Sequence, residues 1–175
     1  FVRFPSWLHC PRCDNLKKFP LDYRATPRCN NNKRFKPGTA RTCHDIKLEF
    51  QKPIMKPVRF LIACKNGHID DFPWVEWVHE GPDSQCDGGS GDLFFSSGGR
   101  ANLSGVYVAC IKCKKRRSLA GAENKKNLLK ILPNGSCTGK RPWLGKNFDT
   151  ETCVSDSEPQ LVLRGSSSLY FPNTV

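Results

Sequence analysis

Methionine occurs once and tyrosine three times in this sequence of 175 residues, and hydrophobic residues make up only 38% of it. That share is thin for the length, so the core needs support beyond the burial of apolar surface. No apolar run approaches the ~20 residues of a membrane-spanning helix, which excludes a segment of that kind. The opening residues, Phe1-Val2-Arg3-Phe4-Pro5, lack a basic stretch followed by an apolar run, so no secretory leader is expected. They also lack a starting Met, and Leu169-Tyr170-Phe171-Pro172 reads as a strand cut short; the expectation is a piece of a longer chain.

The common catalytic patterns are missing as well. There is no Gly-x-Ser-x-Gly elbow. Gly135-Ser136-Cys137-Thr138-Gly139-Lys140 is one residue short of a phosphate-binding loop and is followed by Arg141, where that loop needs Ser or Thr. No enzyme activity of its own is expected.

Between residues 66 and 99 there is no lysine or arginine against seven acids. The flanking stretches, 1–65 and 100–147, each carry a balance of +11, and the whole chain stands at +12. Two basic blocks around an acidic one can attract a polyanion, and nucleic acid is the commonest. The densest run is Lys112, Lys114, Lys115, Arg116 and Arg117, directly on a Cys-x-x-Cys turn. These five are the candidate nucleic-acid contacts; the plain alternative is a solvated turn that aids solubility.

What the chain holds in excess is cysteine, ten in all, with four histidines. A disulfide scaffold is the first reading to weigh. Against it stand the Cys-x-x-Cys pairs Cys10/Cys13 and Cys110/Cys113, a spacing that brings two thiolates to one tetrahedral ion. Metal in a reducing cytoplasm is the preferred reading. Ten cysteines and two histidines make twelve ligands, enough for about three four-coordinate Zn²⁺ sites.

Grouped by order along the chain, the first site takes Cys10, Cys13, Cys29 and Cys43, with His44 a rival to Cys43. A middle site takes Cys64, His68, His79 and Cys86. A zinc-ribbon-like third takes Cys110, Cys113, Cys137 and Cys153. For the middle group the alternative is two buried thiols, with His79 facing the end of its helix. Asp70 is expected to orient an imidazole.

The fold class expected is α+β: a small, loop-rich, zinc-stapled domain with short antiparallel strands and two short helices. Three segments are read: an N-terminal zinc lobe (1–57), a central strand-turn-helix segment (58–99) and a C-terminal lobe (100–175). Strands are expected over 58–63, 93–95, 105–109 and 161–163. One helix starts at an Asp71 cap and carries Trp74, Trp77 and Val78 on one face; the other spans 118–132, with Leu128, Leu129 and Leu132 inward. Trp7, Trp74, Trp77 and Trp143 are expected in the core rather than stacked on bases.

The order Arg3-Phe4-Pro5-Ser6-Trp7-Leu8-His9-Cys10-Pro11-Arg12-Cys13, followed by Ala63-Cys64-Lys65-Asn66-Gly67-His68-Ile69-Asp70-Asp71-Phe72-Pro73-Trp74, resembles the DrmB family. Cys110-Ile111-Lys112-Cys113, Pro142-Trp143-Leu144 and Arg164-Gly165-Ser166-Ser167 agree with it. That family belongs to the bacterial antiphage system DISARM and carries a zinc-binding region related to that of MrfA-type helicases. The resemblance implies a zinc-rich N-terminal part of a subunit that works in recognising foreign DNA, beside a helicase-like partner resembling DrmA. Two other classes stay open: a metal-dependent nuclease centred on His68, Asp70 and His79, and a protein-interaction scaffold without nucleic-acid contact.

Overall fold

A computed structural model of the chain describes residues 2–34, 42–82, 84–97, 102–145, 153 and 158–165. Nine short strands and two short helices are seen among them: β1 (Trp7–His9), β2 (Asn15–Lys18), β3 (Lys56–Pro57), β4 (Phe60–Ala63), β5 (Ile69–Asp71), α1 (Trp74–His79), β6 (Leu93–Ser96), β7 (Tyr107–Cys110), β8 (Arg116–Ser118), α2 (Lys125–Ile131) and β9 (Gln160–Leu163). All strand pairings are antiparallel. They form a six-stranded sheet, β3-β1-β2-β6-β7-β8, and a three-stranded one, β5-β4-β9. The class is α+β. No helix among the described residues is long and apolar enough to cross a membrane.

The larger sheet draws strands from all three segments expected from the sequence, and it separates two cores. Successive side chains of a strand point to opposite faces, so on β1 Trp7 joins the main core while Leu8 joins a smaller one with Phe19 and Met55. The main core is aromatic. Trp74 meets Phe95 edge-on at 5.4 Å between ring centres, and Phe72 meets Trp77 at 5.5 Å. Trp7, Trp74 and Trp77 are buried as expected, whereas Trp143 is 54% exposed.

Two expectations about helices need correction. Asp71 does not cap α1: β5 runs on through it in register with Leu61, and Pro73 takes the cap position without a side-chain bond. Its buried carboxylate accepts instead from the backbone of Ser6 at 3.0 Å and from the Ser6 hydroxyl, which fastens β1 to β5. Burial raises the Asp71 pKa above its ordinary value.

The second helix is far shorter than 118–132. Arg116–Ser118 pairs with β7, Gly121 takes a left-handed turn at φ +80°, and only then does Asn124 accept from the Lys126 N–H at 2.9 Å to start α2. Strand pairing and that turn outweigh the helical periodicity. Leu128 and Leu132 face inward as expected, but Ile131 rather than Leu129 is the third buried residue.

Candidate metal centres

Two hairpin turns are built alike. Between β1 and β2, the Cys10 N–H donates to the Asn15 carbonyl at 2.9 Å; between β7 and β8, the Cys110 N–H donates to the Lys115 carbonyl at 2.9 Å. After β4 a related turn closes with Cys64 N–H to the His68 carbonyl at 3.0 Å and Gly67 at φ +80°. Each turn presents two metal-ligating side chains side by side.

The twelve residues singled out from the sequence fall into three groups of four, with the ligand atoms of each group within 4.8 Å of one another. Cys10, Cys13, Cys29 and Cys43 form the first, in the order expected. The other two groups exchange halves relative to the expectation. Cys64 and His68 meet Cys137 and Cys153, while His79 and Cys86 meet Cys110 and Cys113.

Topology explains the exchange. Pairing of β4 with β9 brings the C-terminal part of the chain beside the Cys64 turn, and pairing of β6 with β7 lays the Cys110 turn against the segment that follows α1. Reading ligands in chain order assumes that neighbours in sequence share an ion, and here the strand path decides otherwise.

The separations suit a tetrahedral ion. With zinc–sulfur bonds of ~2.3 Å, two thiolates on one ion stand ~3.8 Å apart. Cys10 and Cys43 are 3.8 Å apart, Cys13 and Cys29 3.6 Å, Cys86 and Cys110 3.8 Å, and Cys64 and Cys153 4.0 Å. All ten cysteines are free of disulfides. His68 Nδ1 stands 3.3 Å from Cys64 Sγ and 3.8 Å from Cys137 Sγ. His79 is a sharper case: Nδ1 contacts the Val75 carbonyl at 2.8 Å, and its other nitrogen, Nε2, is buried without a hydrogen-bond partner. A buried nitrogen without a hydrogen-bond partner beside three thiols is suited to ligate a metal ion.

Burial pushes the Cys43 thiol up to about 12, Cys110 to about 11 and Cys137 to about 12, whereas hydrogen bonds from Cys13 and Cys29 bring Cys10 down to about 2. The raised thiols, Cys43, Cys110 and Cys137, would give up their protons to a divalent cation on binding it, whereas Cys10 is already favoured as the thiolate. The three groups could hold metal ions.

Some supporting residues carried no signal in the sequence. Gly88 lies so close that a Cβ would clash with Cys110 Sγ and stand 3.2 Å from Cys86 Sγ. Asn31 donates to Cys13 Sγ at 3.6 Å. Only the assembled cluster reveals either role. His44 is exposed and turned to Asn30, outside the first group. Asp70 accepts from Thr138 at 2.9 Å and pairs with Lys140 at 3.0 Å.

The basic run divides. Arg117 stacks on the Trp77 ring at 3.7 Å and donates to the Trp77 carbonyl, so it belongs to the packing. Arg116 covers the Tyr107 ring at 3.5 Å, and Lys112 pairs with Asp87 at 2.7 Å. Lys115 is 3.8 Å from Glu80, and Lys114 is exposed on the turn.

Residues 1–171 match the family described as Domain of unknown function (DUF8724). The chain is also similar to "DISARM protein DrmB" of Bacillus paralicheniformis (strain ATCC 9945a / NCIMB 11709 / CD-2), being 38% identical over 117 residues. That match covers 66% of this chain and 19% of the relative, so the chain spans about a fifth of the length of the curated protein it matches. The resemblance carried by the residues around Cys10 and Cys64 thus has a counterpart in a named protein.

Proposed function

We propose that this chain, which belongs to the family described as Domain of unknown function (DUF8724), is a three-zinc, DNA-contacting module of a bacterial antiphage defence complex. The observation that carries the reading is the set of three closed Cys/His groups. Four protein ligands per ion leave no position for water, which is the pattern of structural rather than catalytic zinc. Cys10, Cys13, Cys29 and Cys43 would hold one ion, Cys64, His68, Cys137 and Cys153 a second, and His79, Cys86, Cys110 and Cys113 a third. Bound zinc would supply cross-links that a chain with 38% hydrophobic residues cannot draw from its core alone.

The basic side chains outside these groups support contact with nucleic-acid phosphates, and similarity to DISARM protein DrmB supports the antiphage setting. In that setting the chain works in the cytoplasm beside a helicase-like subunit. A nuclease centred on His68, Asp70 and His79 is less well supported. The two histidines lie in different groups, and Asp70 is held by Lys140 and Thr138.

The test is a zinc count on the folded chain together with a DNA titration at several salt concentrations. About three ions per chain and salt-dependent binding are expected. One ion per chain would sink the zinc reading. Affinity for DNA that ignores salt, or no affinity, would leave a scaffold for protein contacts. Metal-dependent DNA cleavage lost in a folded His68→Ala variant would favour the nuclease.

A further inference from the structure

The two basic blocks that the sequence separates by an acidic stretch meet in space. Asp92, 7% exposed, pairs with Lys33 of the first block and lies 3.8 Å from Lys112 of the second. The acid therefore joins the blocks by holding an ammonium from each, and Lys112 is further balanced by Asp87. On β2, Lys17 and Lys18 are exposed, and neither pairs with a carboxylate among the described residues.

Beside Lys33 opens a cleft of about 180 Å³, whose walls include Lys17, Asn30, Asn31, Asn32, Lys33 and Ser90. In a chain with 16 acids, none of its lining residues is Asp or Glu. The first metal group shapes it: Cys29 is one of its walls, and Asn31 ties the loop by donating to the Lys33 carbonyl at 2.8 Å and to Cys13 Sγ. With Asn31 so occupied, the exposed Asn32, Lys17 and Ser90 offer amide, ammonium and hydroxyl donors to whatever enters. The space is smaller than the ~300 Å³ at which pockets for drug-sized ligands begin, but it is roomy for a tetrahedral oxyanion. Lys, Asn and Ser side chains are the usual partners of phosphate oxygens on nucleic acid.

We propose that this cleft seats one phosphate of a bound nucleic-acid strand, with Lys17, Asn32 and Ser90 as its donors. The inference rests on the DNA-contacting reading above and moves its centre from the Cys110 turn, where Arg117 is committed to packing, to the loop of the first metal group.

The test uses the zinc-loaded full chain and labelled single- and double-stranded DNA, with affinity followed against salt. Lys17→Gln combined with Asn32→Asp should weaken binding several-fold. It should also reduce the slope of log affinity on log salt by about 0.7–0.9, the share of one phosphate. Zinc content and circular dichroism serve as folding controls. If Asn32→Asp disturbs the neighbouring metal group, Lys17→Gln alone, on an exposed strand position, carries the same expectation.

Parental affinity and slope in these variants, with both lost when residues 114–117 are replaced by Ala, would overturn the cleft while keeping the DNA reading. An unchanged DNA slope with inorganic phosphate still shifting the Asn32 amide resonance would make it a site for a free anion, and that too overturns the proposal. A parent chain that binds no DNA fails at the earlier step and takes the cleft with it.

Discussion

At Cys10/Cys13 and at Cys110/Cys113 the chain makes the same turn, with the same 2.9 Å backbone closure and a left-handed residue after the second cysteine, Asp14 at φ 59° and Lys114 at φ 62°. Their surroundings differ. The first turn is grouped with cysteines from loops that follow it, up to Cys43, and its thiols lie in the small core with Leu8, Phe19 and Met55. The second takes His79 and Cys86 from earlier in the chain, and Cys110 lies in the main core with Trp74 and Trp77. A turn of this kind delivers two ligands by local geometry. Which two others complete the site, and how much of the fold depends on it, is decided by the path of the strands.

The largest effect expected follows from that contrast. Cys113→Ser should remove the ion shared with His79 and Cys86, and with it the anchor between α1 and the β7–β8 hairpin. Apparent binding energies of structural zinc are of order ~10–16 kcal/mol, far above the stability of a domain this size, so the main core should unfold. Cys13→Ser should also cost one zinc, but near-ultraviolet circular dichroism of Trp74 and Trp77 should survive. Equal loss of the aromatic signal in both variants would break the distinction.

A second variant separates the observed grouping from the one read in chain order. Cys137→Ser should expose Cys64 and Cys153 to alkylation and leave Cys110 and Cys113 protected, because the structure groups Cys137 with the former pair. The effect on stability should be smaller than for Cys113→Ser, since this group closes the three-stranded sheet. Alkylation at Cys110 and Cys113 instead, mapped by mass spectrometry, would restore the ribbon-like arrangement.

Why chain order failed here and succeeded at the first group is a matter of contact range. Cys-x-x-Cys and Cys64-x-x-x-His68 are pairs within one turn, so spacing alone reveals them. Cys29 and Cys43 follow their turn with only β2, the second strand of the same hairpin, between them and it in the large sheet, and their grouping is legible too. Cys137 and Cys110 are drawn to different centres by β9 and β6, and no local pattern reports that pairing. The strands at 60–63, 93–96 and 160–163 were readable from their apolar runs. Leu spacing predicts a helix over 118–132, yet Gly121 and the Arg116–Ser118 strand fix another course through the first part of that stretch.

Gly88→Ala should come next in size. The added methyl would press on Cys110 Sγ and Cys86 Sγ, so either the cluster opens or the loop shifts. Overpacking of this sort costs ~1–3 kcal/mol, and zinc should leave this centre at lower chelator concentration than in the parent. The first centre, which has no such glycine against its sulfurs among the described residues, should release its ion unchanged. Unaltered release from both centres would mean that the loop around Gly88 yields freely.

The smallest effect tests the two turns against each other directly. A left-handed conformation costs most L-residues ~1–2 kcal/mol; Asp, with a short side chain that can bond locally, bears it better than Lys. Glycine adopts it without strain but loses more chain entropy on folding, which offsets part of the gain. Lys114→Gly should therefore stabilise the zinc-loaded chain by about 0.5–1 kcal/mol, and Asp14→Gly by less or not at all. Lys114→Asn, which tolerates the conformation without glycine's freedom, should match or exceed Lys114→Gly. Thermal unfolding at fixed zinc concentration measures all three. If Lys114→Gly destabilises the chain while Asp14→Gly does not, the ammonium of Lys114 contributes to the fold. It would then be spent on the protein, as the Arg117 guanidinium is on Trp77, and the second turn would have still less charge to offer a phosphate.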